Sequence, residues 1–505
     1  MVKAKYILTL KAGEPPIEDG AIIVSNGTIE RVGKSEEISK LGPFDYELGD
    51  PNSDIAIPGL INAHHHGSLH YRDGLEDLPL ELWLPRRVQL YKLSMSQEES
   101  YWLALWSAME HLKSGVTAMV DFYTEDPGPE GENWIAALTA YKDLGMRVAF
   151  CIALADQNHF VYADDEEFLK GLPAEIAERL RKGLRPFSWE EFFPRWKAIY
   201  DRFHGQDDRI EIYLAPIGVQ WCSDALLKRV KQTAQEFRTG IQIHLSETKY
   251  QRYYGERRFG KSLAKHLGGL AFLGPEVSLA HGVWLDLSDI GFVARSGATV
   301  VHNPSSNWRL RSGIAPILEM ISKGVNLAFG VDGMGFNDDG DILADLHLAW
   351  LMHRWPGIDA PRLSARTLLE MATSGGARVL MMEDKLGSIE PGKRADIVLI
   401  DGERLFQSPY QSPDLGLEDI LLHRAVGKDV ETVIIDGKIA LRDGQLPGIN
   451  LGKGEAILSE MFRKRCDKAD KERDFIRRVE EHIRDFYRRW DEEMGIGAKP
   501  TYNLL

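Results

Sequence analysis

Pro58-Gly59-Leu60-Ile61-Asn62-Ala63-His64-His65-His66-Gly67 is the stretch on which the reading of this chain turns. Its apolar lead-in reads as a buried strand. Side chains alternate along a strand, so His64 and His66 point to one side and His65 to the other. Two imidazoles aimed together make half of a metal site. The remaining donors follow short apolar runs further on: Ile241-Gln242-Ile243-His244-Leu245-Ser246-Glu247, Val277-Ser278-Leu279-Ala280-His281-Gly282 and Leu327-Ala328-Phe329-Gly330-Val331-Asp332-Gly333.

Working outward, apolar strands alternate with helical patterns. Strands are expected near 117–123, 147–155, 211–220, 241–247, 277–285, 299–304 and 326–332, which with the run ending at His66 makes eight. Eight strand-helix units with buried-type strands predict an α/β chain folded as a (β/α)8 TIM barrel, whose active site lies at the C-terminal strand ends. The candidate donors fall at the ends of strands one, five, six and eight. Before the barrel, residues 1–57 read as short alternating strands with an Asn26-Gly27 hairpin turn. Strands return around Ala395-Asp396-Ile397-Val398-Leu399-Ile400-Asp401 and Val433-Ile434-Ile435-Asp436-Gly437-Lys438-Ile439. We therefore expect residues 1–57 and 388–450 to build one composite β-sandwich domain, 58–387 the barrel, and 451–505 a helical extension.

Two segments exceed the needs of a barrel. Residues 156–205 carry Phe187, Trp189, Phe192, Phe193 and Trp196, which either wall the substrate as a lid or pack an insertion helix on the barrel. The tail places Phe475, Ile476, Val479, Ile483, Phe486, Tyr487 and Trp490 at helical spacing, an apolar stripe that docks on its own barrel or on another subunit.

Composition narrows the partners. In 505 residues the formal charge of -15 disfavours nucleic acid, and three widely spaced cysteines suggest neither disulfides nor a Cys-based zinc site. With no targeting or membrane-spanning run, the expectation is a soluble cytoplasmic protein, a homo-oligomer (dimer or tetramer), that works on a small molecule away from nucleic acid and membrane.

His64, His66, His244 and Asp332 supply three imidazoles and a carboxylate, the donor types of a catalytic zinc site. A lone histidine is more often structural, and His65, His70, His111, His159, His204, His266, His347, His353 and His423 are left to that reading. Glu247, three residues past His244, is placed to give a proton to a substrate nitrogen. His281 suits a base or hydrogen-bond donor beside the metal.

The chain resembles the amidohydrolase superfamily, in the branch of metal-dependent deaminases and triazine hydrolases. The matching stretches are 58–67, 110–117, 244–248, Ala280-His281-Gly282, Val301-His302-Asn303-Pro304-Ser305-Ser306-Asn307 running on to 312–316, 332–333 and 387–396. The resemblance implies that His64, His66, His244 and Asp332 bind one divalent metal, that Glu247 shuttles protons and that His281 assists. Zn2+ is the first expectation, with Fe2+ or Mn2+ as alternatives. Strand four, Tyr213-Leu214-Ala215-Pro216-Ile217-Gly218-Val219, has no lysine of the kind binuclear relatives use to bridge two metals. The implied reaction is hydrolysis of a carbon-nitrogen bond at an sp2 carbon, foremost deamination of a small aminated heterocycle. The alternatives are removal of an N-alkylamine, halide or amide from a triazine- or urea-like compound, and a non-catalytic assembly protein that kept the barrel. Nucleoside-deaminating relatives carry a histidine, an arginine and a glutamate where Ile217, Ile152 and Lys92 align here. We therefore expect a free heterocycle to be preferred over a nucleoside, with Arg86 or Lys92 meeting a polar substituent.

Overall fold

The computed structural model describes residues 1–67, 78–86, 95–124, 128, 130–184, 187–333, 339–407, 415–446, 449 and 451–495. Lys92 and His70 lie outside the described residues. Eight parallel strands run in simple chain order, β5 (Leu60–His65), β6 (Val116–Tyr123), β7 (Arg147–Leu154), β8 (Ile210–Pro216), β9 (Ile241–Leu245), β10 (Val277–His281), β11 (Thr299–His302) and β12 (Asn326–Phe329). The ring closes where Asp332 N donates to the His64 carbonyl at 3.0 Å and Val331 N to the Asn62 side chain at 3.2 Å. This is a (β/α)8 barrel, and its closure brings the first and eighth strand ends together.

Ile61, Ala63, Val120, Cys151, Tyr213, Ala215, Val301 and Ala328 form a core cluster inside the barrel, distinct from the larger cluster between strands and helices. Several strands stop short of their expected ends. The backbone turns left-handed at Ser246 (φ 50°), His281 (φ 76°) and Asp332 (φ 59°), which breaks the ladder just where the functional side chains begin. Such conformations are sterically costly for non-glycine residues and gather at functional sites.

The second sheet takes strands from both ends of the chain. β1 (Val2–Ile7), β2 (Ile17–Ser25), β3 (Thr28–Lys34), β4 (Ile55–Pro58), β13 (Ile397–Ile400), β14 (Val430–Ile435) and β15 (Lys438–Arg442) join in the order β15-β14-β13-β4-β1-β2-β3. They form a single seven-stranded hydrogen-bonded sheet. Asn26 (φ 49°) and Gly27 (φ 77°) both take positive φ, the hairpin turn their sequence predicts.

Six helices matter for the site: α1 (Leu80–Leu84), α2 (Gln97–Lys113), α3 (Trp189–Phe203), α4 (Lys249–Phe259), α5 (Ile342–Met352) and α6 (Leu451–Met494). The aromatics of α3 are packing residues and not a lid. Trp196 is fully buried with its Nε1 donating to the Tyr213 carbonyl at 3.2 Å, and Phe192 meets Trp134 edge-on. The apolar stripe of α6 buries Leu458, Met461, Ile476, Val479, Ile483, Tyr487 and Trp490 in the chain's own core, so the question of where it docks is answered within one subunit. Arg86 is engaged by Glu480 of α6 through both carboxylate oxygens.

Candidate metal centre

His64, His66, His244, Glu247, His281 and Asp332 converge in one buried cluster at the C-terminal mouth of the barrel, each at most 8% exposed. His65 turns away, bonded to the Asp332 carbonyl at 2.7 Å and to Ser107 of α2 at 2.6 Å. The six side chains thus come from the ends of β5, β9, β10 and β12, as strand alternation requires.

The hydrogen bonds fix which nitrogen of each ring faces the centre. His66 Nδ1 lies 2.8 Å from the Phe122 carbonyl and His244 Nδ1 lies 2.7 Å from the Ile217 carbonyl. A carbonyl only accepts, so both Nδ1 atoms carry the hydrogen and both Nε2 atoms present a lone pair. His64 Nδ1 lies 2.7 Å from Gln242 Oε1, and that amide is oriented by its own Nε2 donating to the Ala63 carbonyl at 2.9 Å. Among the described residues the buried His64 Nε2 has no hydrogen-bond partner.

The lone pairs then point at one another. His66 Nε2 and His244 Nε2 are 3.3 Å apart, His66 Nε2 is 3.5 Å from Asp332 Oδ1, and His64 Nε2 is 3.8 Å from the same oxygen. Four tetrahedral donors bonded to one ion at about 2.0–2.2 Å sit about 3.3–3.6 Å apart. Without a cation between them this is a repulsive arrangement, so the donor set fits a single divalent metal. His64, His66 and Asp332 form one group able to hold an ion, and His64, His244 and His281 another that shares His64. Burial pushes the His64 imidazole down to about 3 and His244 far below its ordinary value, which keeps both in the neutral, ligating form. Asp332 is also held below its ordinary value. Burial would raise it, but His64, His66 and His281 outweigh that, with Ser306 Oγ donating to Oδ2 at 2.6 Å, and hold it ionised.

Glu247 is driven well above the usual carboxyl range, first by burial and then by Asp332 and Glu81, which favours its protonated form. Gln251 grips it twice, accepting from Glu247 N at 2.9 Å and donating to Oε2 at 3.4 Å. His281 stands between the two acids, its Nε2 3.7 Å from Asp332 Oδ2 and 3.9 Å from Glu247 Oε2, while its Nδ1 meets Asn307 Oδ1 at 2.8 Å. The barrel mouth therefore sets a carboxylate held low and a carboxyl held high on either side of the His281 imidazole.

Of the aligned positions Ile152 and Ile217, only Ile217 lies near the site. Ile152 belongs to the cluster between strands and helices and faces away from the barrel interior, where Cys151 and Ala153 point instead. It presents no surface to a substrate. Ile217, beside His244, is half-buried and stays near the site. Gln242, Ser306 and Glu81 also stand at the site, beyond the residues that the strand-end motifs single out. Gln242 had a legible signal: it is a polar side chain two residues before His244, hence on the same strand face.

A ring of eight parallel strands with this donor set at its mouth defines a metal-site barrel hydrolase. The amidohydrolase family matches residues 55–440, and the chain belongs to that family. It is 31% identical to the 5'-deoxyadenosine deaminase of Methanopyrus kandleri over 435 residues, 86% of this chain and 92% of that protein. It is also 31% identical to the 5-methylthioadenosine/S-adenosylhomocysteine deaminase of Thermoanaerobacter pseudethanolicus over 455 residues, 90% of this chain and 96% of that protein. Among solved structures it superposes on an adenosine deaminase from Xanthomonas campestris with bound zinc, at a TM-score of 0.80 and 26% identity, covering 92% of this chain and 98% of that one. Among the described residues no helix is long and apolar enough to cross a membrane.

Proposed function

We propose that the chain is a mononuclear metal-dependent aminohydrolase that removes the amino group of a small heterocycle. The observation that carries this is the approach of His66 Nε2 and His244 Nε2 to 3.3 Å beside Asp332, with both Nδ1 atoms already committed to carbonyls, a donor arrangement that one bound cation satisfies. His64, His66, His244 and Asp332 would hold one divalent ion, Zn2+ foremost as in the similar adenosine deaminase. When bound, such an ion lowers the pKa of water towards neutrality.

The chain's own groups do the rest. Asp332 or His281 takes the one proton that the attacking water loses, and Glu247 gives its proton to the ring nitrogen next to the attacked carbon. Glu247 regains a proton by way of His281, 3.9 Å away, and delivers it to the amino group, which leaves as ammonia while the ring keeps the oxygen. Burial of all three groups removes competing bulk water and strengthens their electrostatics.

The names of the relatives bring an adenine nucleoside forward as substrate, against the expectation of a free ring. With Ile152 outside the site, two supports for that expectation remain. They are Ile217 and Lys92, the latter beyond the described residues. We infer that an adenosine bearing a 5'-deoxy or 5'-thio substituent is turned over. Ammonia release should be measured with 5'-deoxyadenosine, S-adenosylhomocysteine, adenosine, guanine and an aminotriazine, alongside metal content for wild type and His244→Ala. Efficient turnover of the 5'-modified nucleosides with about one ion per chain, lost in the variant, supports the reading. A metal-free active enzyme, or a panel in which only the free rings react, overturns it.

A further inference from the structure

The C-terminal helix α6 reaches the loop of Glu247 through a line of buried hydrogen bonds. Tyr487 on α6 accepts from Tyr162 N at 3.2 Å. The Tyr162 hydroxyl donates to Glu81 Oε1 of α1 at 3.1 Å, and Thr248 Oγ1 donates to the same oxygen. Thr248 is the residue after Glu247 and caps α4, accepting from Gln251 N at 3.4 Å. Gln251 in turn holds both the backbone and the carboxyl of Glu247. Tyr487, Tyr162, Glu81, Thr248 and Gln251 are each at most 5% exposed. A network this deeply buried holds its members in fixed positions, because each broken link leaves a buried group without a partner. The same stretch of α6 grips the first turn of α4 directly, through Tyr250 donating to Asp491 at 2.9 Å.

We propose that Tyr487 is a positioning residue for Glu247, acting through Tyr162, Glu81 and Thr248. The C-terminal helix, which lies beyond the residues 55–440 that the family model matches, is thereby part of the working active site. This rests on Glu247 being the proton donor. The first half of α6 offers an internal control, since it packs elsewhere: Gly454 lies against Trp102 and Lys453 pairs with Glu98 at 2.7 Å, both on α2. Leu458→Ala therefore weakens the docking of the helix without touching the line of hydrogen bonds.

The test measures kcat, KM and metal content of full-length Tyr487→Phe, Glu81→Gln and Leu458→Ala, each alone and combined with Glu247→Gln. Tyr487→Phe and Glu81→Gln should each lower kcat about three- to tenfold, with KM and metal content unchanged, and these losses should vanish in the Glu247→Gln background. Residues acting through one group are non-additive in this way. Leu458→Ala should lower Tm and leave kcat alone. Should Tyr487→Phe not fold, Tyr162→Phe breaks the next link while keeping the backbone donor, and the same non-additivity is required of it. Losses that multiply undiminished in the Glu247→Gln background, or an equal kcat loss in Leu458→Ala, overturn the proposal while leaving the role of Glu247 intact. Wild-type turnover in Glu247→Gln alone would instead remove both.

Discussion

Replacing Gln242 by leucine should weaken metal binding through a side chain that never touches the metal. Gln242 is fully buried, and its Oε1 is the acceptor that keeps the hydrogen on His64 Nδ1, 2.7 Å away. In the ion-bound protein His64 Nε2 must offer a lone pair, so Nδ1 must carry the hydrogen, and in Gln242→Leu that hydrogen has no acceptor. In the metal-free protein the ring escapes this penalty by moving the hydrogen to Nε2, which faces Asp332 Oδ1 at 3.8 Å. An unpaired buried donor costs about 1–3 kcal/mol, here charged to the bound state alone. That is about a 5- to 150-fold loss of affinity, in line with the roughly 10- to 100-fold effects of removing such supporting hydrogen bonds at other metal sites. Gln242→Leu also strips donors from the Ala63 carbonyl and Ser278 Oγ, so its Tm should fall as well, with or without metal. The assay is competition for Zn2+ between the metal-free protein and a chromogenic chelator, for wild type, Gln242→Leu and Gln242→Glu. The glutamate keeps an acceptor for His64 and should bind within about tenfold of wild type. A folded Gln242→Leu protein whose Zn2+ affinity stays within twofold of wild type would refute the argument, leaving Gln242 as no more than a core polar residue.

Glu247→Gln should keep its metal and lose about a hundredfold or more in kcat, because the amide cannot donate and regain a proton; a steady-state assay with elemental analysis checks both halves. Asp345 on α5 is fully buried, bonded to Ser305 Oγ at 2.6 Å and pushed by burial from 3.8 to about 8. The folded chain thus holds a proton there that the unfolded chain releases above the ordinary carboxyl range. Its stabilising contribution is complete at acid pH and is lost as pH rises towards about 8. Asp345→Asn has no such proton to lose, so its Tm should fall less than that of wild type across this window in a pH series of thermal melts.

Much of the site was legible in the chain because strands obey a short-range rule. The period-2 alternation of β5 alone separates His64 and His66 from His65, and it puts Gln242 on the face of His244. The order of strands and helices, with ligand-type residues at four strand ends, was enough for a barrel with its centre at the C-terminal mouth. The hairpin at Asn26-Gly27 follows from two residues that tolerate positive φ.

What the sequence could not decide depended on which groups meet across long separations. Ile152 looked like a substrate contact by position along the strand, yet its side chain faces the helices, since one step along a strand reverses the side. The aromatics of α3 and the stripe of α6 announce burial without naming a surface, because an apolar face gains much the same free energy against any apolar partner. That Glu81, Tyr162 and Tyr487 join behind Glu247 is a property of three distant segments folded together. The sequence determined the donors of this centre and the strands that carry them. Tertiary structure alone determined which nitrogens face inward, because each ring's hydrogen is set by a partner, Gln242 for His64, Phe122 for His66 and Ile217 for His244, that only closure of the barrel brings within reach.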